Sequence, residues 1–269
     1  PIRHSKSPMM HNTAFEALGL DYAYLAFDFP PERLEDAVKG LKALGAKGWN
    51  VSMPYKADII PLLDEISEVS RLCNSVNTVI NRDGRLYGTV TDGTGYMRSL
   101  ADRGFDVKGK KMTVLGCGGA ATAICIQAAL DGVREISIFN ANDAFFHRAE
   151  ENAEKINANT GCVAHAYPLE DKARLRAEIA DSALLANATS VGMGKLEGIS
   201  LIDDASMLRP ELICTDVIYS PEETAFLKLA RRAGCPTMNG LGMVLFQGAE
   251  SFRLWTGMEM PIDAVKAVL

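Results

Sequence analysis

The chain holds six cysteines but no C-x-x-C pair among them. Cys73, Cys117, Cys125, Cys162, Cys214 and Cys235 sit in apolar or structured contexts, which reads as reduced, buried thiols in a cytoplasmic setting. The four histidines, His4, His11, His147 and His165, supply no ligand spacing with one another or with cysteine, so no metal is expected. Positive charge is in the minority: 28 Lys and Arg stand against 34 Asp and Glu, for a formal net charge of −6. With a pI near 5.3 the chain lacks the clustered cations that a phosphate backbone needs, and nucleic acid is excluded as an expected partner. No apolar run approaches the ~20 residues of a membrane-spanning helix, and no signal peptide precedes Pro1, so no membrane partner is expected either. The opening PIRHSKSP has neither an initiator methionine nor a preceding strand, and the natural beginning is expected to lie upstream.

What is present is an ordinary globular composition, 48% hydrophobic and 23% charged, over 269 residues. That length suits one large domain or two modest ones, and the pattern below favours two. Nothing in it chooses between a monomer and a homodimer.

The chain is organised around residues 110–132, KKMTVLGCGGAATAICIQAALDG. An apolar run at 112–115 is followed by Gly116, Gly118 and Gly119 and then by a run of alanines and isoleucines ending at Gly132, which reads as strand, tight turn, helix. Glycines let backbone N–H groups approach a pyrophosphate, and the helix N-terminus adds partial positive charge. Gly116, Gly118 and Ala121 fit the G-x-G-x-x-A dinucleotide fingerprint, although a strand-to-helix corner that binds nothing has the same pattern.

From residue 110 onward strands are expected at 112–115, 135–139, 162–167, 183–188, 212–219 and 236–239, with helices at 120–130, 144–157, 172–179 and 222–233. Such alternation specifies βαβ units and a parallel sheet. Before it, helices are expected at 7–18, 34–44, 56–63, 65–73 and 93–101 and strands at 22–27 and 49–53. A hairpin at 77–90 turns on Asp83-Gly84. Helices at 242–256 and 261–269 have no strand to follow and are expected to return to the first domain. The fold class is therefore α/β: a Rossmann-type doubly wound domain over 93–242, and an α/β substrate domain over 1–92 completed by 243–269, with a cleft between them.

Polar residues in the first ninety stand in apolar surroundings: Ser5 and Ser7 before a helix, Asn50 and Ser52 on one strand face, then Lys56, Asn77, Thr78, Thr91 and Asp92. Hydroxyls, amides, one ammonium and one carboxylate would suit a small polyhydroxylated acid. Taken singly, Ser7 and Asp92 also read as helix N-caps, Asn77 and Thr78 as turn formers and Lys56 as a solvated helix residue.

The strings PIRHSKSP, NVSMPYK, NSVNTV, TDGTG, LGCGGAATA, NATSVGM, DVIYSP and GLGMVLFQGAESF, in this order and across the whole chain, resemble the shikimate dehydrogenase family, nearest its quinate/shikimate branch. The resemblance implies a two-domain enzyme that reversibly oxidises the C3 hydroxyl of shikimate, or the corresponding one of quinate, with a nicotinamide cofactor. It assigns substrate contacts to Ser5, Ser7, Asn50, Ser52, Asn77 and Gln247, with Tyr219 at the carboxylate end, and the catalytic pair to Lys56 and Asp92. Oxidising a secondary alcohol removes a hydride and a proton, so a base must reach the hydroxyl. A lysine serves if burial lowers its pKa, while a neighbouring carboxylate opposes that fall and orients the ammonium.

Cofactor contacts are implied at Gly116, Cys117, Gly118, Gly119 and Ala120, then at Asn140, Asp143, Asn187, Thr189 and Ser190. Val217, Tyr219, Gly240 and Met243 are implied near the nicotinamide. Two departures from the family pattern stand out, Val90 where an asparagine is usual and Ser52 in place of threonine. The missing methyl leaves room for quinate's extra hydroxyl, but is worth only ~1 kcal/mol. After the second nucleotide-domain strand the chain reads IFNANDAFF, with Ala141 and Asn142 where a 2′-phosphate would call for arginines. Asp143 could bond both ribose hydroxyls or simply cap the next helix. NAD is therefore expected ahead of NADP. A related cyclitol acid such as aminoshikimate, and a non-catalytic nucleotide-binding regulator, are the rival readings.

Overall fold

The structure, a computed structural model, describes Ile2 and residues 5–269. His4, among the histidines considered for metal, lies outside the described residues. The chain forms two compact units: Pro1–Gly95 with Val244–Leu269, and Tyr96–Met243.

In the first unit, α1 (Ser7–Ala17) and α2 (Leu34–Ala43) precede a four-stranded sheet of order β1-β3-β4-β2. Its strands are β1 (Gly48–Asn50), β2 (Glu65–Ile66), β3 (Thr78–Arg82) and β4 (Arg85–Thr89). The β3–β4 hairpin closes where the sequence places it: Asp83 and Gly84 both adopt positive φ, 51° and 86°, as a tight antiparallel turn demands.

Two expectations fail nearby. No strand forms at 22–27, because Asn12 takes the backbone of Tyr24 with its side-chain amide, accepting from N–H at 2.7 Å and donating to C=O at 2.9 Å. A side chain has occupied the groups a neighbouring strand would need. Nor does a helix form at 56–63. The Lys56 carbonyl accepts instead from the distant Val76 N–H at 2.8 Å, and Pro61 withholds a donor, so only turns and a 3-10 turn at Ile60–Leu62 remain. The helix expected at 65–73 is shortened to α3 (Glu68–Cys73), capped by Ser67, because residues 65 and 66 pair with β4. The strand expected at 49–53 keeps only its first half. Leu34, Val38, Val51, Ile59, Val76, Val79 and Leu86 form one core of this unit, and Met10, Ala14, Phe15, Leu245, Phe246, Ala249 and Phe252 another.

The second unit is a six-stranded parallel sheet, order β10-β9-β8-β5-β6-β7. The strands are β5 (Lys111–Leu115), β6 (Glu135–Asn140), β7 (Val163–Pro168), β8 (Leu184–Asn187), β9 (Ile213–Asp216) and β10 (Thr237–Met238). Helices α5 (Gly119–Leu130), α6 (His147–Asn159), α7 (Lys172–Asp181) and α8 (Ala225–Arg232) connect them. The order reverses between β5 and β8, which makes the sheet doubly wound and sets a topological switch point at the end of β5. Two helices carry the division between the units within them, α4 (Asp92–Asp102) and α9 (Leu241–Thr256), and α10 (Ile262–Lys266) closes the chain. Among the described residues no helix is long and apolar enough to cross a membrane.

One charged cluster lies inside this second unit. Lys111, only 6% exposed at the start of β5, reaches Glu178 at 2.6 Å, Glu135 at 2.8 Å and Asp181 at 3.3 Å. Burial alone would lower the Lys111 ammonium, but the bonds to Glu135 and Glu178 prevail and hold it above its ordinary value. Burial likewise pushes the Glu178 carboxyl up, and bonds from Lys111 and Ser137 more than reverse it. The lowered carboxyl stabilises the fold above its unfolded value near 4.5 and loses that contribution as pH falls through the folded value. Lys111→Met leaves Glu178 buried without its main cation, and at pH 7 it should cost about 3–5 kcal/mol in urea unfolding. That deficit should narrow towards pH 4, where Glu178 can be neutralised. A deficit below about 1 kcal/mol, or one indifferent to pH, would contradict the balance described.

Candidate active site

The first unit gathers its polar residues at the open ends of β1 and β3. Asn77, just before β3, directs its side-chain amide onto the start of α4. Its Nδ2 donates to Asp92 Oδ1 at 2.9 Å and Thr91 Oγ1 at 3.1 Å, while its Oδ1 accepts from the Thr91 N–H at 2.9 Å. The second Asp92 oxygen accepts from Lys56 Nζ at 2.6 Å. Lysine and aspartate, 36 positions apart, thus form a charge-assisted pair whose side chains remain 25% and 18% exposed. The turns that replace the expected helix at 56–63 bring Lys56 here.

Asn50 is also committed. Its Oδ1 accepts from the Tyr24 hydroxyl at 2.7 Å, and its Nδ2 donates to Asn77 C=O, Thr78 Oγ1 and Ser251 Oγ at 3.1–3.2 Å. Both asparagines are expected to contact substrate; within the unit their amides also bond neighbouring groups, and Asn77 holds Asp92. Burial pushes the Tyr24 phenol up to about 12, with bonds to Ser7 and Asn50 offsetting only part of it. His11, stacked on Tyr24 at 4.6 Å between ring centroids, is driven down to about 3 by burial. Ser7 is the first residue of α1 and not its cap, since Lys6 holds that place, and the Ser7 N–H donates to Ser5 Oγ at 3.2 Å. Ser52 is exposed on the segment after β1. Gln247 lies on α9 one turn before Ser251 and donates from Nε2 to Val244 C=O at 3.0 Å.

Sequence reasoning overlooked Tyr24 and Ser251. Ser251 follows Gln247 at i+4 on one helix face, a spacing that could have marked it; nothing local marks Tyr24.

In the second unit the glycine turn has the geometry a phosphate needs. Gly116 adopts φ +107°, and a Cβ there would stand 2.8 Å from Thr189 Cγ2, so only glycine fits. Gly118 and Gly119 face open space, and no side chain caps the α5 N-terminus, which begins at Gly119 and Ala120. Its backbone N–H groups are those that would meet a pyrophosphate. Cys117 is turned inward, with Sγ towards Phe145 C=O at 3.6 Å, so only its backbone serves such a site.

Asn140 ends β6 and donates from Nδ2 to Ala141 C=O at 3.1 Å. Asp143 accepts from the Phe145 N–H at 2.8 Å, closing a local turn, and α6 starts three residues later than expected. Two further groups at this loop were not anticipated. The Glu170 carboxylate accepts from the Asn142 N–H at 3.1 and 3.3 Å, and the Arg148 guanidinium lies over the Phe145 ring, 5.0 Å from its centroid.

Asn187 is the last residue of β8, Thr189 and Ser190 occupy the loop that follows, and Val217 and Tyr219 the one after β9. Gly240 precedes α9, and Met243 is buried in its first turn. A Cβ on Gly240 would stand 1.9 Å from Val217 C=O, and its N–H donates to Ile218 C=O at 2.9 Å. All these residues lie beyond the carboxyl ends of β5, β8, β9 and β10, the edge at which open parallel sheets bind ligands. Among the described residues no group of three or more His, Cys, Asp or Glu could hold a metal ion.

Strand order, switch point and glycine turn define a dinucleotide-binding type of α/β protein with a second α/β unit rich in clustered hydroxyl, amide and charged side chains. Comparison with known proteins names the family. The shikimate dehydrogenase substrate binding domain model matches residues 1–79, and the shikimate 5′-dehydrogenase C-terminal domain model matches 240–269. A protein of Listeria monocytogenes serotype 4b named shikimate dehydrogenase (NADP(+)) is 56% identical over all of this chain and 92% of its own length. The crystal structure of shikimate 5-dehydrogenase from Listeria monocytogenes in complex with shikimate and NAD superposes with a TM-score of 0.98, at 56% identity over 100% of this chain and 93% of that one. Quinate dehydrogenase from Corynebacterium glutamicum in complex with NAD gives 0.89 at 28% identity, over 99% and 94%. The chain belongs to the shikimate dehydrogenase family.

Because the contact at Gly240 is with backbone, no rotamer change can relieve it. Gly240→Ala should cost roughly 1–3 kcal/mol by thermal unfolding and weaken nicotinamide-dinucleotide binding at least tenfold by titration calorimetry. Unchanged cofactor affinity would separate Gly240 from the binding edge.

Proposed function

We propose that the protein reversibly oxidises the C3 hydroxyl of shikimate to 3-dehydroshikimate, takes quinate as a second substrate, and prefers NAD to NADP. It is an NAD(P)-dependent oxidoreductase acting on a CH–OH group. The observation that carries the reading is the Lys56–Asp92 pair at 2.6 Å, with the second carboxylate oxygen already held by Asn77. In oxidation the substrate's C3 hydrogen leaves as hydride and its hydroxyl proton passes to Lys56 as the free amine. In reduction the Lys56 ammonium returns that proton to the incipient alkoxide. Asp92 keeps Nζ on this line and offsets its charge. Ser5, Ser7, Asn50, Ser52, Asn77 and Gln247 are assigned to the ring hydroxyls and carboxylate, and Asn77 also holds Asp92.

The bound dinucleotide would supply the hydride acceptor, with its pyrophosphate at Gly116, Gly118, Gly119 and Ala120. The positive φ of Gly116, the open faces of Gly118 and Gly119 and the uncapped helix start all fit that group. For NAD, the argument is charge: Asp143 and Glu170 both lie at the loop after β6, where a 2′-phosphate would be repelled. For NADP, the Arg148 guanidinium lies over Phe145 of that loop, and the 56%-identical relative carries NADP(+) in its name. The six free thiols support a reducing, cytoplasmic setting.

Lys56→Ala should lower kcat by ~10²–10⁴-fold with the Kd for NAD(P) within about twofold of the parent, and near-normal turnover would sink the assignment. A steady-state comparison of shikimate and quinate, each with NAD and NADP, tests the finer claims. It should give the highest kcat/KM for shikimate with NAD and measurable turnover of quinate; an NADP preference would transfer the cofactor to Arg148.

A further inference from the structure

Under the loops that follow β8 and β9 sits a carboxyl group whose donors, among the described residues, are all neutral. Asp216, the last residue of β9, is 1% exposed. Every hydrogen bond it makes is one it accepts. The Ile218 N–H donates to Oδ1 at 3.0 Å, Thr224 Oγ1 to Oδ2 at 2.8 Å, and Asn187 Nδ2 to both oxygens, at 3.2 and 3.1 Å. Burial pushes its carboxyl up, and only neutral donors from Ile218, Thr224 and Asn187 pull the other way. A buried charge left in that condition is costly, so its retention calls for an explanation beyond packing.

What those donors belong to supplies it. Asn187 passes the constraint on: its Nδ2 also reaches Val191 C=O at 3.0 Å, and its Oδ1 accepts from the Thr189 N–H at 3.2 Å and Thr189 Oγ1 at 2.7 Å. Thr189 Oγ1 in turn accepts from the Val191 N–H at 3.1 Å, and the Thr189 methyl closes on the space above Gly116. On the other side, Ile218 N–H is fixed by Asp216 while Ile218 C=O accepts from Gly240. Thr224 caps α8 by accepting from the Leu227 N–H at 3.3 Å. One carboxylate thus pins the loop after β8, the loop after β9 and the start of α8. In a sheet of this order the pyrophosphate rests at the turn after β5, and the second nucleotide lies over the strands beyond the switch point, here β8 and β9.

We propose that Asp216 is a positioning residue for the nicotinamide half of the cofactor, acting through Asn187, Thr189 and Ile218 and not by touching the ring. This rests on the dinucleotide reading given above. Asparagine has the same shape but only one accepting oxygen, so whichever way Asp216→Asn turns, its NH2 faces a donor. Both loops then lose their common anchor.

The test uses the full chain and three probes: NAD(P)H, ADP-ribose, which has every part of NAD except the nicotinamide ring, and shikimate. Asp216→Asn should weaken NAD(P)H binding about tenfold or more, with ADP-ribose affinity and the KM for shikimate within about twofold of the parent. Thr224→Val, which removes one donor and leaves the carboxylate, should shift NAD(P)H in the same direction by a smaller factor. This milder variant decides the matter if Asp216→Asn does not fold. Parent-like NAD(P)H affinity in the variants overturns the proposal. So does an equal loss for NAD(P)H and ADP-ribose alongside a lower Tm, which would make Asp216 a purely structural acceptor. Failure of the parent chain to bind any dinucleotide would instead overturn the cofactor reading itself.

Discussion

The chemistry proposed for the first unit depends on how one carboxylate is divided. Asp92 gives one oxygen to Lys56 and the other to Asn77, and each contact explains a piece of local structure. Lys56 can reach it only because residues 53–59 are turns held by the Val76 N–H to Lys56 C=O bond; a regular helix there would carry the ammonium elsewhere. Asn77 can reach it only because β3 begins one residue later and pairs with both β1 and β4, which fixes which side its amide faces. A lysine needs a carboxylate to aim its ammonium, and that carboxylate needs a neutral donor on its far side to keep it from rotating towards the lysine with both oxygens. The arrangement is a directional one, and Asp92 takes one of the three Nζ hydrogens.

The second unit solves a different problem with backbone geometry and neutral dipoles. Its glycine turn leaves the N–H groups at the start of α5 without a side-chain cap, and the Asp216 carboxyl group meets only neutral donors among the described residues. The large ion-pair cluster around Lys111 stands on β5 and β6 at their amino ends, where the strands begin, and Asp216 at the carboxyl end of β9. One ammonium thus offsets part of the acidic charge at the amino ends of the strands, while the described donors to the carboxyl group at the end of β9 are all neutral.

Much of this was legible in the chain. The alternation of apolar runs and helical stretches after residue 110 reports a parallel sheet because each strand is buried on both faces and needs a covering helix. Asp83-Gly84 reports its hairpin because few residues tolerate positive φ. Lys56 and Asp92 could be paired by resemblance, though no spacing brings residues 36 apart together. What escaped has a common cause, competition from distant partners. Asn12 takes the backbone of Tyr24 and no strand forms; Val76 takes the carbonyl of Lys56 and no helix forms. Tyr24, Glu170 and Asp216 look unremarkable in sequence since each acquires its role from groups far along the chain or across a sheet.

The loop after β6 shows why cofactor choice is the least legible feature. A relative 56% identical is named for NADP(+), so the proposed preference for NAD rests on a handful of side chains at this loop. Reading forward from Asn140, the sequence offers no arginine at the next two positions, and that absence argues for NAD. The fold adds one group for each side: Glu170, delivered from the end of β7 to the Asn142 N–H, and Arg148, lying over Phe145 at the start of α6. A 2′-phosphate dianion needs a guanidinium in a forked, desolvated contact, and Arg148 would have to turn from the aromatic face towards a loop that already carries two carboxylates. A 2′-hydroxyl asks only for an acceptor, and the Asp143 and Glu170 oxygens are acceptors without rearrangement. The proposed preference for the dinucleotide without the phosphate rests on that count of groups that must move before each can bind.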